Sequence, residues 1–421
     1  MHSKKPNIFS ISAAALISIG LAPLALSADS AKFMVIDGHN DLPWQYHERF
    51  GNRLAPLDVA DRHEDMEPPL HTDIPRLRDG GVGAQFWSVY VPIAAYGGAP
   101  GDAALVLDQM DVVRRLVERH SDDLALAMTA ADVRRAASEG KIGSLMGIEG
   151  GHAIENSLGT LRSLYAAGAR YMTLTHSKGL AWADSATDAP RHDGLTEFGE
   201  SVVREMNRLG MLVDLSHVTA ATMHDTLDTV TAPVIFSHSS ARGLNDHPRN
   251  VPDDVLKRMP KNGGVVMVTF VPGYISQERR DWDLARTGQQ ASLAAMHPYD
   301  EGLRDELLAE WEVAHPKPEA TLSQVADHID HIRKVAGVEH IGLGGDFDGI
   351  SSVVQGLEDV STYPALFDEL KRRGYSDADC EAIAGGNVLR ALEANEKEAL
   401  RLQTERPAED PPEGGVGAVQ G

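Results

Sequence analysis

His39 and Asp41 close one apolar run, FMVIDGHND, and Glu149 closes another, GSLMGIEGG. His217 and His238 close two more, MLVDLSH and PVIFSHSS, and Asp346 follows a further run, HIGLGGDFD. Imidazoles and carboxylates are ligands for borderline metal ions, and neutral imidazoles favour zinc. Run ends of this kind, gathered around one axis, make a metal site. His39 and Asp41 lie two residues apart, a spacing that puts both on the same side of a strand and within reach of one ion. Glu149 has two oxygens and can bridge two ions, with Gly150 and Gly151 leaving room for close approach. His217 and His238 are separated by a span that fits a turn, a short helix over Ala220–Leu227 and a return.

Three imidazoles, an aspartate and a glutamate are too many for a single tetrahedral ion that must keep a position open. Two zinc ions about 3.5–4 Å apart, sharing Glu149 and a water, use the set better. Water on such ions has a pKa of about 7, so hydroxide is present at neutral pH and can attack a carbonyl. Asp346 is then placed to take the water's proton and pass it to a leaving amine. Asp348 sits in the same segment, GGDFDGI, and periodicity does not choose between the two.

Three other residues carry weaker signals. His176, in TLTHS, either donates to a developing oxyanion or packs behind a ligand. Arg249, in HPRNVPDD, either clamps a substrate carboxylate in bidentate fashion or pairs at the surface with Asp253 or Asp254. Taken alone, the residues favour the surface pair. His152, three residues after Glu149, reads as support for a ligand rather than as one. His63, His120 and His297 lack such context and read as structural or solvated.

The elements that must position these side chains follow from the same runs. Phe33–Ile36, Gly83–Val91, Ile142–Ile148, Tyr171–Leu174, Met211–Leu215, Val234–Phe236, Gly264–Phe270 and His340–Leu343 are β-rich, and several are apolar nearly throughout, as strands covered on both faces are. Helical spacing fills the intervals: Ala103–Glu118, Phe198–Leu209, a helix opened by the capping box Thr321–Gln324, another opened at Ser376–Asp379, and a terminal helix over Ala391–Leu402. Alternation of this kind predicts a parallel (β/α)₈ TIM barrel with C-terminal helices. A doubly wound sheet would put its site at one switch point and would not collect ligands from strands one, three, five, six and eight. Tyr46–Asp73 reads as a loop over the end of the first strand. Ser276–Ala320 reads as a long charged loop between strands seven and eight, with helix around Glu301–Trp311.

The chain has 421 residues and 42% hydrophobic content, enough for one barrel with a large core. Lys4 and Lys5, an apolar run and the small-residue exit Ala25-Leu26-Ser27 predict a cleaved leader over residues 1–27, leaving a barrel over 28–404 and a disordered Pro/Gly/Glu-rich tail over 405–421. The leader directs the chain to the periplasm or outside the cell. Its tail has no apolar anchor, so no stable membrane anchor is expected. The formal net charge of −23 argues against nucleic-acid and anionic-membrane partners. Cys380 is the single cysteine, so no intrachain disulfide forms.

The segments DGHNDLP, HTDIPRLRDGGVGAQFWSVYVP, IEGGHAIENSLGTLRSLYAAGARYMTLTHS, DLSHV, VIFSHSSA, RNVPDDVL, LSQVADHIDHI and GLGGDFDG resemble the membrane (renal) dipeptidase family of the metal-dependent amidohydrolase superfamily. The resemblance runs from about Phe33 to Leu392. It implies a barrel with two zinc ions, one on His39, Asp41 and Glu149 and the other on Glu149, His217 and His238. It also implies that Asp346 is the catalytic acid–base, that His176 contacts the scissile group, that Arg249 holds the substrate carboxylate, and that Tyr274 lines the pocket. The implied reaction is hydrolysis of dipeptides, including those with a C-terminal D-residue; some members open β-lactams. Family members often form homodimers, and no stretch here marks an interface. This chain departs from the mammalian pattern in lacking disulfides and a lipid anchor and in its longer Ser276–Ala320 segment. A lactam or cyclic-amide hydrolase is the nearest alternative, although His39-Asn-Asp41 and Glu149 replace the His-x-His and modified lysine common there. A non-catalytic peptide-binding relative is the other.

Overall fold

The apolar runs form strands because almost every residue in them is covered on both sides. A computed structural model of the chain describes residues 33–93 and 102–413; the leader expected over residues 1–27 lies outside them. The strands are β1 (Val35–Asn40), β2 (Val82–Tyr90), β3 (Leu124–Leu126), β4 (Ile142–Glu149), β5 (Ala169–Thr173), β6 (Leu212–Asp214), β7 (Ile235–Phe236), β8 (Val265–Val268) and β9 (Ile341–Leu343). Every residue of β1 and of β4 is buried. The ladder runs β2-β1-β9-β8-β7-β6-β5-β4, and pairing of β2 with β4 closes it. All pairings between strands are parallel. This is the (β/α)₈ barrel expected from the alternation of runs.

One strand falls outside that expectation. β3 pairs with the start of β4, from Leu124↔Ile142 to Leu126↔Ser144, whereas β5 joins β4 only from Met146. The short segment covers a stretch of β4 edge that the next barrel strand does not reach, and three residues are too few to leave a periodic signal.

Side chains of Ile36, Phe86, Leu145, Tyr171, Leu212, Ile235, Val265 and Met267 form one buried cluster, closed at one end by Val388 and Leu392 of the last helix, Asn387–Glu405. A second, larger cluster packs the strands against the surrounding helices. The capping box read from the sequence at Thr321–Gln324 is formed, and the helix expected to open at Ser376–Asp379 carries one as well. Thr321 accepts from Gln324 N while the Gln324 side chain accepts from Thr321 N, and Ser376 and Asp379 do the same; each cap of this kind contributes about 1 kcal/mol.

The Ser276–Ala320 segment is not a loop. It is a helical hairpin of Gln277–Met296 and Glu301–Ala314, capped by Ser276 and Asp300. Its helices bury only Arg279, Leu293 and Leu308, so there is little apolar stripe to read. The pairing of its arms rests instead on Trp282 against Trp311, with ring centroids 5.8 Å apart, and on Arg286 with Glu312 at 2.6 Å. Tyr46–Asp73 also begins with helix, Leu42–Phe50, before turning irregular. Just after Glu405 the chain stays in contact with the fold, since Glu409 Oε1 accepts from Arg204 Nε at 2.9 Å; residues 414–421 of the tail expected to be disordered lie outside the described residues. Among the described residues no helix is long and apolar enough to cross a membrane.

Candidate functional site

The parallel strands point their C-terminal ends to one face, and the metal-capable side chains lie there. His39 is on β1 and Asp41 is the residue just after it, at the N-cap of Leu42–Phe50. Glu149 is the last residue of β4. His217 follows β6, His238 follows β7, and Asp346 follows β9. His39 Nε2 stands 3.4 Å from Asp41 Oδ2, 3.5 Å from Glu149 Oε2 and 3.9 Å from Asp346 Oδ1. The other oxygen of Glu149, Oε1, lies 3.0 Å from His217 Nε2, 3.7 Å from His238 Nε2 and 3.6 Å from His176 Nε2. Glu149 therefore presents one oxygen to each half of the cluster.

The donor set suits cations. The Nε2 atoms of His217 and His238 are 2.9 Å apart, and His39 Nε2 has no hydrogen-bond partner among the described residues. The outward-facing nitrogens of His39 and His238, in contrast, are anchored. His39 Nδ1 is hydrogen-bonded to the Tyr171 hydroxyl at 2.8 Å. Ser237 Oγ donates to Asp214 Oδ2 at 2.6 Å, which leaves it to accept from His238 Nδ1 at 2.8 Å. Anchored outer nitrogens orient these Nε2 atoms inward, as supporting hydrogen bonds do around metal ions. Gathering carboxylates in a buried site without a counter-charge is costly, and bound cations relieve that cost.

Charges respond to this crowding. Burial lowers the His39 imidazole, but Tyr171, Asp41 and Glu149 outweigh it and hold it well above its ordinary value. Burial raises Glu149, but His39 and His217 overcome this and hold the carboxylate well below its usual range. Burial, with Arg249 and neighbouring imidazoles adding, keeps His217 and His238 well below theirs, which favours the neutral form that ligates metal. Burial pushes Asp346 well above the usual carboxylate range; His39 opposes the rise, and Asp41 and Glu149 add to it.

Backbone geometry at the site is unusual. His217, Asp346 and Asp348 have φ of 72°, 63° and 64°, the left-handed region that residues other than glycine rarely adopt. Such conformations persist where the surroundings impose them and cluster at functional sites. Gly349 makes the crossing possible, since a Cβ there would meet Asp41 Oδ2 at 2.2 Å and Asp346 Oδ1 at 2.7 Å.

The structure separates the two aspartates of GGDFDGI. Asp348 Oδ1 accepts from His71 N at 2.7 Å and Asp348 O accepts from Gln45 Nε2 at 2.7 Å, so Asp348 ties the loop down while Asp346 faces His39. Arg249 is 3% exposed and makes no ion pair among the described residues. Asp253 instead pairs with His331 and Asp254 with His224, so the surface pairing favoured by the residues alone is not formed. The Arg249 guanidinium donates to Tyr274 Oη at 3.2 Å and to His238 O at 3.4 Å, and its Nε has no partner. Its positive charge, next to the imidazole cluster, has no carboxylate in ion-pair contact among the described residues, although it is felt at Asp346. His152 points away from the cluster and is hydrogen-bonded through Nε2 to Val91 O at 2.8 Å.

Sequence reasoning missed Tyr171, Ser237, Asp214 and Ser88, whose Oγ donates to Glu149 Oε2 at 3.1 Å. One signal was available. Gly147 sits inside a strand, where glycine marks a close approach, and a Cβ there would meet the Tyr171 ring at 2.0 Å. The cluster opens into a cavity of 1420 Å³ lined by Asp41, Glu149, His176, His217, His238, Arg249, Tyr274 and Asp346.

Comparison with known proteins agrees with this geometry. Among solved structures, the chain is similar to the probable dipeptidase PvdM from Pseudomonas aeruginosa, with 23% identity, a TM-score of 0.74, and 88% of this chain and 97% of that one covered. It is also similar to a metallo peptidase from Rhodobacter sphaeroides liganded with a phosphinate mimic of the dipeptide L-Ala-D-Ala, with 23% identity, a TM-score of 0.69, and 86% and 99% covered. At such identities these two likenesses speak for the barrel alone. The family model for membrane dipeptidase (peptidase family M19) matches residues 27–406. With nearly the whole barrel inside that match, the chain belongs to the membrane dipeptidase family of metallopeptidases.

Proposed function

We propose that this chain is a binuclear zinc dipeptidase that accepts a D-residue at the C-terminal position of its substrate. The observation that carries the reading is the convergence of the His39, His217 and His238 Nε2 atoms on the two oxygens of Glu149. His39, Asp41 and Glu149 would hold one ion, and Glu149, His217 and His238 the other. When bound, the ions supply Lewis-acid polarisation of the scissile carbonyl and acidify a water to hydroxide at neutral pH.

The rest belongs to the chain's own side chains. Arg249, buried without a carboxylate partner, binds the free C-terminal carboxylate through its fork of donors. Tyr274 holds that guanidinium in place through its hydroxyl. Asp346, whose Oδ1 lies 3.9 Å from His39 Nε2 at the edge of the cluster, takes a proton from the attacking water and returns it to the leaving amine. His176, at the same rim, donates to the oxygen of the scissile carbonyl. A dipeptide has one carboxylate and one scissile amide a fixed distance apart, so pinning the carboxylate at Arg249 orients the amide over the cluster. Tolerance of a C-terminal D-residue is supported by the ligand of the Rhodobacter sphaeroides relative. The leader-like residues 1–27 support a periplasmic or secreted location.

A dipeptide panel with matched L,L and L,D pairs, cyclic amides and a β-lactam, assayed on zinc-loaded protein, tests the reading. The expected result is turnover of dipeptides with a free C-terminus and retention of activity on L,D pairs. Turnover confined to cyclic amides would overturn it.

A further inference from the structure

The cavity does not end at Arg249. It continues along the first turns of the hairpin helix Gln277–Met296, where Arg279, Arg280, Asp283 and Leu284 line it. Arg279, Asp283, Ser351 and Ser352 are shared with an adjoining cavity of 740 Å³ beneath the hairpin. Arg279 thus stands where the two spaces meet. It is 7% exposed. Its Nε donates to Asp283 Oδ1 at 2.9 Å and its Nη2 to Ser352 Oγ at 3.1 Å. Nη1 is buried with no partner among the described residues.

Asp283 does not account for this arrangement. It lies four residues further along the same helix, its side chain is 42% exposed, and it engages Nε alone, so Nη1 stays open to a second anion. The position relative to Arg249 is also defined. Arg249 bonds the Tyr274 hydroxyl, Tyr274 belongs to the turn Pro272–Ile275, and Ser276 Oγ, next in the chain, accepts from Arg279 N at 3.3 Å. Two buried guanidiniums therefore flank one end of the site. The first suits a main-chain carboxylate. The second lines the same cavity, further along the hairpin helix.

We propose that Arg279 is a specificity-determining residue that receives the carboxylate of an acidic side chain on the C-terminal residue of the substrate. This rests on the dipeptidase reading above and names its substrate class: dipeptides ending in glutamate or aspartate. Arginine suits the task because its planar fork meets a carboxylate through two parallel donors.

The test is kcat/KM of the zinc-loaded full chain for L-Ala-Glu against L-Ala-Gln, with each hand of the C-terminal residue. The two substrates differ in charge and little in shape. The wild type is expected to favour glutamate by about tenfold or more. Arg279→Gln brings the ratio close to one. Asp283→Asn, which removes the competing carboxylate, raises it. A wild-type ratio near one, or a ratio unchanged in Arg279→Gln, overturns the assignment. If Arg279→Gln does not fold, the wild-type ratio and Asp283→Asn decide, and a fall in the latter also overturns it. A wild type that cleaves both substrates equally removes only this role of Arg279; one that cleaves no dipeptide removes the dipeptidase reading with it.

Discussion

The Tyr171 hydroxyl lies 2.8 Å from His39 Nδ1, on the face of the imidazole turned away from the carboxylates. Tyr171 is fully buried in the barrel interior, and its ring occupies space that any side chain at position 147 would fill. A hydroxyl on the barrel axis therefore sets the orientation of an imidazole at the barrel mouth.

Removing that hydroxyl should loosen the cluster without unfolding the barrel. Tyr171→Phe keeps the ring and leaves His39 Nδ1 without its partner. Zinc affinity should fall about 10–100-fold, the usual cost of losing such a support, while the circular dichroism spectrum stays that of the wild type. A chelator-competition titration reads this directly; an unchanged affinity would mean that His39 is held by its carboxylate neighbours alone.

Asp346 and Asp348 differ by two positions and by what they face. Asp346→Asn keeps the volume and removes the proton carrier. Turnover should drop about 10²–10⁴-fold, the range of general acid–base catalysis, with metal content unchanged by elemental analysis. A variant hydrolysing dipeptides at the wild-type rate would assign the proton transfer to another group.

Among the described residues Arg249 has no carboxylate within ion-pair distance. Arg249→Ala should raise KM for dipeptides with a free C-terminus far more than for the corresponding amides, because only the former lose a charge-assisted contact. Steady-state kinetics on the paired substrates checks it. Equal losses on both would point to a structural role through Tyr274 and His238.

His328 gives a dependence on pH outside the metal cluster. Its Nδ1 accepts from Ala241 N at 3.0 Å and its Nε2 donates to Ile275 O at 3.0 Å, so the ring is locked neutral. Burial lowers it from 6.5 to about 4. The unfolded chain takes up a proton below pH 6.5 that the folded chain refuses until about pH 4, so stability is lost as the pH falls through that window. Between pH 6.5 and 5 this group contributes a loss of about 2 kcal/mol. Urea unfolding of the metal-free protein at several pH values should show a shallower fall in His328→Gln than in the wild type; parallel curves would refute the assignment.

How much of this was legible in the sequence depends on what each feature leaves in the order of residues. The barrel strands were legible because strands covered on both faces keep an apolar run, and β4 is buried along its length. The ligand candidates were legible because parallel strands place their ends on one face, so His39, Glu149, His217 and His238 follow such runs. Thr321 and Ser376 announced their helices through local capping chemistry. Tyr171 was not legible as a support, since strand periodicity does not say which alternate face turns inward. Arg249 read as a surface residue because its burial comes from contacts distant in sequence, with Tyr274 and His238. The Gln277–Met296 and Glu301–Ala314 hairpin hid for a different reason: helices that bury so few side chains keep no apolar stripe.

The central claim is that His39, Asp41, Glu149, His217 and His238 together hold the ions on which peptide hydrolysis depends. The most direct measurement strips the purified full chain of metal and then titrates zinc back while recording dipeptide hydrolysis and bound metal together. Activity should be absent in the stripped protein and climb until two equivalents are bound. Hydrolysis at full rate after exhaustive chelation would contradict the account.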